Sequence, residues 1–237
     1  MEADIWPLYG LRLATPRLEL RLPDDRTLAE LARLASGGVH EDSEMPFSVP
    51  WTAAPPADRA RGCFQHVLGT IAGWRPAEWT LSLAVLHGGR VIGRQDLSGT
   101  DFAVVRETHT GSWLGVAHQG RGFGTEMRAA ALHLAFDGLG ARSSLSAAMT
   151  DNPRSRRVSE KLGYRPDGLL TESVQGRART LERLRLDRAG WEAHRAVPVE
   201  TAGLGAAALA LFGVRAPGAP DADAAGPDEP PRERTAS

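Results

Sequence analysis

The sequence predicts an α/β fold in which helices flank a mixed central sheet of about six to seven strands. Three stretches carry that expectation. "RLELRL" (17–22) alternates apolar and charged residues, as a half-buried strand does, and runs directly into a helical pattern. "WTLSLAVLHGGRVIGRQDL" reads as two strands joined by a tight turn, with the paired glycines supplying positive φ. "GSWLGVAHQGRGFGTEM" (111–127) passes from alternation through Gly120, Gly122 and Gly124 into an alanine-rich helical pattern. Strand handing over to helix through glycines is the junction from which α/β proteins are built.

Each element follows in chain order. Leu28, Leu31, Leu34 and Ala35 fall at helical spacing within 24–35, where Asp24 or Asp25 provides a cap. "GGVHEDSEMPFSVPWTAAPP" is rich in proline and acidic residues and reads as an ordered loop. A helix is expected over 57–72, followed by the hairpin, a loop around Asp101 and a strand running to Val116. The helix over 122–138 bears two apolar stripes, Met127–Ala131–Leu134 and Leu132–Phe136–Leu139, so neighbours should cover most of it. Gly138 and Gly140 end it. A strand at 143–149, a helix at 152–162, strands at 168–175 and 179–187, and a short helix at "RAGWEAHR" complete the pattern. The expected division is a folded domain over 1–196 and an extension over 197–237. A short docked helix is expected at 201–213, and the tail from 215 is too rich in Pro, Gly, Ala and Asp to offset its ordering entropy.

Bulk properties narrow the function. The 237 residues carry a formal net charge of −1, which gives no electrostatic case for nucleic acid as the main ligand. A single cysteine, Cys63, excludes an intrachain disulfide and a cysteine-based metal cluster. Lys161 is the one lysine, so a Schiff-base enzyme would have to use it and a thiol enzyme would have to use Cys63. No secretory leader is visible, and the apolar run at 204–214 is far short of the ~20 residues that cross a membrane. The expectation is a cytoplasmic protein that is not membrane-bound. A homo-oligomer stays open.

The glycine junction is a generic anion site. The first N–H groups of a helix lack internal partners and its dipole is positive there, while glycines let phosphate oxygens approach the amides. Arg121 would add a charge-assisted contact. With 26 glycines, chance alone supplies roughly three G-x-G triplets, so position rather than the triplet carries the signal. Neither a dinucleotide G-x-G-x-x-G after an early strand nor a phosphate-loop G-K-[ST] is present.

Two longer strings are more specific. "HQGRGFGTEMRAA" and, thirty residues on, "DNPRSRRVSEKLGY" resemble the two signatures of the GCN5-related N-acetyltransferase (GNAT) superfamily, and "TPRLELR" resembles its opening strand. Within it the resemblance is to the branch of ribosomal-protein-alanine acetyltransferases. The "GVHEDSEMPFSVPW" loop resembles an actinobacterial-type subgroup that includes users of succinyl donors. The resemblance covers residues 11–187.

It implies that an acyl-CoA, acetyl-CoA first, lies in a cleft where two parallel strands splay apart, with no metal. The backbone at Leu114 and Val116 would pair with the pantetheine. The amides from Gln119 through Gly120, Arg121, Gly122, Phe123, Gly124 and Thr125 would hold the pyrophosphate, with Asn152 and Ser155 nearby. Relatives carry a tyrosine seven residues after the asparagine as proton donor to the leaving thiolate; here that position is Ser159. Asn152 is a good N-cap with Pro153 behind it, and helical spacing puts Ser155 and Ser159 on its side of the helix, with Arg154, Arg157 and Lys161 pointing elsewhere. His40 is the candidate base on the acceptor side. Met45, Phe47 and Trp51 would line the acyl or acceptor pocket or else anchor their loop on the core, and Asp96 and Asp101 would either face the acceptor or be solvated turn acids. The expected reaction is direct attack of a primary amine on the thioester. Succinyl transfer and a non-catalytic coenzyme A sensor are the alternatives.

Overall fold

The computed structural model describes residues 2–41 and 44–215. Asp42 of the acidic loop, and the expected disordered tail from 216 on, lie outside the described residues. The strands are β1 Arg12–Ala14, β2 Leu18–Arg21, β3 Glu78–His87, β4 Arg90–Thr100, β5 Glu107–Leu114, β6 Ser143–Met149, β7 Arg165–Val174, β8 Arg177–Asp187 and β9 Glu200–Ala202. The helices are α1 Glu2–Ile5, α2 Asp25–Ser36, α3 Pro56–Ala72, α4 Phe102–Val105, α5 Phe123–His133, α6 Pro153–Lys161, α7 Arg188–His194 and α8 Ala206–Leu211.

Among the described residues the sheet has nine strands, in the order β7-β8-β6-β5-β4-β3-β2-β1-β9. The two beyond the sequence-based count are β1 and β9, three residues each and too short to register an alternation. They pair with each other at the sheet edge, Leu13 opposite Thr201. The segment from 197 therefore supplies both this strand and α8, whose neighbour Phe212 is fully buried against Trp74 and Trp79.

Local chemistry explains the helix starts. The Asp24 side chain accepts from Thr27 N at 2.8 Å and caps α2, and that of Asn152 accepts from Ser155 N at 3.1 Å and caps α6. α5 continues for one wider turn over Leu134–Gly138 before Gly140 turns the chain at φ 72°.

Two apolar layers cover the sheet. Leu81, Leu83 and Leu97 meet Phe123, Met127 and Ala130 on the α5 side; Ala84, Leu86 and Trp113 meet Leu28, Leu31, Cys63 and Val67 on the α2–α3 side.

The feature that positions a site is the one parallel junction among the described strands. β5 and β6 pair only at Glu107↔Ser143, Thr108↔Ser144 and His109↔Leu145. Beyond that they separate, while β5 stays on β4 as far as Leu114↔Gly93 and β6 stays on β8 as far as Met149↔Leu181. The gap opens toward the glycine loop.

Candidate active site

β5 ends in a short turn, Val116–His118, in which His118 N donates to Gly115 O and Gln119 N to Val116 O. Gly120 and Gly122 then take φ of 72° and 82°, and α5 begins at Phe123. From Gly120 to Thr125 no main-chain N–H finds an acceptor among the described residues; the first helical amide to do so is Glu126 N, on Gly122 O at 3.2 Å. A row of free donors thus stands at the positive end of a helix. The expectation that the row begins at Gln119 is corrected: its N–H is engaged in the preceding turn.

The Gln119 side chain is engaged too. Its Nε2 donates to Val39 O at 2.7 Å and to Leu114 O at 3.0 Å, tying the end of β5 to the loop after α2. Arg154 Nη1 reaches its Oε1 at 3.3 Å, so Arg154 points to the loop rather than away from it, as helical spacing suggested. Gly115 N donates to Ile92 O, so strand alternation turns the main-chain groups of Leu114 and Ser112 toward the gap.

The loop is anchored from below. Glu126, buried on α5, accepts from Arg17 Nε at 2.6 Å, Arg17 N at 3.1 Å and Thr15 Oγ1 at 2.7 Å. Arg17 Nη1 also donates to Arg121 O at 3.1 Å, and both guanidinium groups lie over the Phe123 ring. Desolvation, then Arg121 and His87, hold the His118 imidazole below its ordinary pKa. This is an electropositive rim. Sequence reasoning missed Arg17 and Glu126, although "TPR" just before β2 carried the arginine.

On the far side of the gap, Ser159 is fully buried on α6, and its Oγ donates to Ser155 O at 3.3 Å. It also accepts from Arg128 Nη1 of α5 at 2.8 Å. Tyr164 is buried, bonded to Thr110 at 3.3 Å and Ser144 at 3.2 Å, and burial raises its pKa.

A groove of about 680 Å³ lies between the loop after α2 and the β7–β8 hairpin, lined by Val39, His40, Glu41, Glu44, Met45 and Thr52 among others. His40 Nδ1 lies 2.8 Å from Glu41 O and Nε2 2.7 Å from Thr52 Oγ1. A carbonyl only accepts, so Nδ1 carries the proton and Nε2 keeps the lone pair in the neutral ring. Phe47 and Trp51 do not line the groove; they run as a chain of rings from His40 to Trp113 and anchor the loop on the core. Met45 packs on Met149, Val174 and Leu181.

Asp96 faces α3, bonded through Oδ2 to Arg94 at 2.9 Å. Its Oδ1 is buried without a partner, as are Arg94 Nε, Ser82 Oγ and Trp113 Nε1 on the same sheet face. Asp101 belongs elsewhere: it is exposed, at φ 47°, just before α4 at the opposite end of β4.

A family model described as an acetyltransferase (GNAT) domain matches residues 17–165. Solved structures agree on the fold. A GCN5-related N-acetyltransferase from Brucella melitensis is 24% identical with a TM-score of 0.60, over 78% of this chain and 81% of that one. RimJ of Mycobacterium smegmatis, in complex with CoA-disulfide, is 17% identical with a TM-score of 0.59, over 77% and 90%. RimL, an α-N-protein acetyltransferase in complex with coenzyme A, is 16% identical with a TM-score of 0.58, over 73% and 95%.

Proposed function

The chain belongs to the GNAT acetyltransferase family and is an acyl-CoA-dependent N-acyltransferase; on that premise we propose that it moves an acetyl group from acetyl-CoA to a primary amine of a protein N-terminus, lysine or small molecule. The observation that carries the reading is the row of free amides from Gly120 to Thr125 at the mouth of the β5–β6 gap. In this reading Gly120, Arg121, Gly122, Phe123, Gly124 and Thr125 hold the pyrophosphate, with Arg17 and Arg121 adding charge. The gap-facing end of β5 at Leu114, with Val116 just beyond it, takes the pantetheine along an edge that β6 has left; the carbonyls of both residues already accept from Gln119, so it is their N–H groups that are offered to the ligand. Asn152 and Ser155, at the start of α6, border the other wall.

The acceptor enters from the groove. Its lining carries Glu41 and Glu44 together with Arg59 and Arg179, so both signs of charge border it. His40 Nε2 is the proposed proton acceptor, with the Thr52 hydroxyl beside it and Met45 on the same groove lining. The neutral amine attacks the thioester carbon, and holding the two reactants together accounts for most of the acceleration. Branch membership supports a protein α-amine as the first acceptor to assay.

Two measurements test this. Calorimetric titration should give binding of coenzyme A but not of ATP or NAD. Thiol release from acetyl-, propionyl-, malonyl- and succinyl-CoA with peptide amines should be fastest with acetyl. Preferential binding of ATP or NAD, or no release with any donor and amine, sinks the reading.

A further inference from the structure

Arg128 is a buried charge without a counter-ion. Only 5% of it is exposed, and its guanidinium lies across the gap between β5 and β6. It reaches Ser112 of β5 at 3.4 Å and Ser146 of β6 at 3.5 Å, both past the last parallel pair, His109↔Leu145. Ser159 of α6 takes the shortest contact, 2.8 Å.

Every one of these partners is a neutral hydroxyl. Among the described residues no carboxylate pairs with Arg128, and its Nε has no partner. The other ionisable group facing it is Tyr164, kept neutral by burial and bonded to Thr110 and Ser144. An arginine stays ionised in a protein, and burying an ion unpaired is strongly unfavourable. Three contacts also leave N–H donors over. Such a group is arranged for an anion brought by a ligand.

The reaction itself produces that anion, whatever the acyl group. As the amine nitrogen bonds to the thioester carbon, the carbonyl pair moves to oxygen. When it returns, the C–S bond breaks and its electrons leave on sulfur, while the nitrogen's proton passes to the base. We infer that Arg128 is a catalytic residue whose guanidinium meets the negative charge leaving on the coenzyme A sulfur. It transfers no proton; the thiolate is protonated later from water. Ser112, Ser146 and Ser159 are positioning residues that hold the guanidinium across the gap. The inference rests on the coenzyme A reading above.

The test needs no knowledge of the acceptor. Coenzyme A and desulfo-coenzyme A are titrated into wild type, Arg128→Gln, Arg128→Lys and Arg128→Met from about pH 6 to about pH 9. Facing a cation, the bound thiol ionises more readily than the free one. In wild type the preference for coenzyme A over its desulfo form should therefore grow roughly tenfold across that range. It should be flat in the Gln and Met variants and partly kept by Lys. Cys63 does not interfere, because burial raises its pKa to about 11 and both complexes contain it. Turnover should fall roughly 100- to 1000-fold in Arg128→Gln, with KM for the donor within about threefold. The Met variant should melt no lower than wild type, since an unpaired buried charge has been removed.

A wild-type preference that ignores pH, or one that survives in Arg128→Gln, overturns the inference while leaving the site standing. So does a succinyl-CoA preference over acetyl-CoA that vanishes in Arg128→Gln, which would assign the guanidinium to an acyl carboxylate. Failure of both coenzyme A forms to bind wild type overturns this inference and the function together.

Discussion

At the scale of single residues, backbone conformation and charge decide what the site tolerates. Gly122 sits at φ 82°, and a Cβ there would come within 3.3 Å of Arg17 Nη2. Gly122→Glu should remove coenzyme A binding, because its carboxylate would compete for the donors and cations meant for phosphate. The strain of a side chain at positive φ, about 1–2 kcal/mol, leaves the fold intact. Calorimetry and circular dichroism read the two effects separately. Glu126→Gln should cost about 1–3 kcal/mol in chemical denaturation, since it weakens a buried anchor whose partner Arg17 is partly solvated. The glycines of this loop were legible from sequence because conformational demand fixes their identity. Arg128, Arg17 and Glu126 were not. An arginine amid the apolar positions of a covered helix was the available signal for Arg128, but only the gap between two distant strands gives it meaning.

Elements add their own predictions. Main-chain and side-chain hydrogen bonds from Thr27 lower the Asp24 carboxyl from 3.8 to about 2. Because the folded pKa is depressed, its stabilisation is complete above the ordinary carboxylate value and disappears as pH falls through about 2. Asp24→Ala should therefore cost about 1 kcal/mol near neutral pH, a figure reduced for solvent exposure, and almost nothing in strong acid. Urea melts at the two pH extremes check it. Helices with caps and stripes, such as 24–35 and 152–162, were readable because their causes are local. Asp101 stayed open between acceptor and solvated turn because a loop acid says nothing about which end of its strand faces the cleft. Gln119 was read as part of a phosphate cradle, whereas its side chain closes a long-range link to Val39 that no spacing encodes.

For the whole molecule, the core extends past 197 into the segment where a short docked helix was expected. Trp74 Nε1 donates to Leu211 O at 2.8 Å, and Phe212 closes edge-on to Trp79 with ring centroids 4.8 Å apart. Phe212→Ala should destabilise by about 3–5 kcal/mol, visible as an earlier denaturation midpoint with little change in slope. Composition flagged 197 as a boundary because small residues dominate there. Packing overrides composition once aromatic partners wait on the sheet. β9 has a temporal consequence as well. During vectorial synthesis β1, at 12–14, emerges long before its outer partner at 200–202. The nascent protein must keep that flank of its sheet unzipped until residues 200–202 have been made, an interval in which chaperones have an open edge to shield.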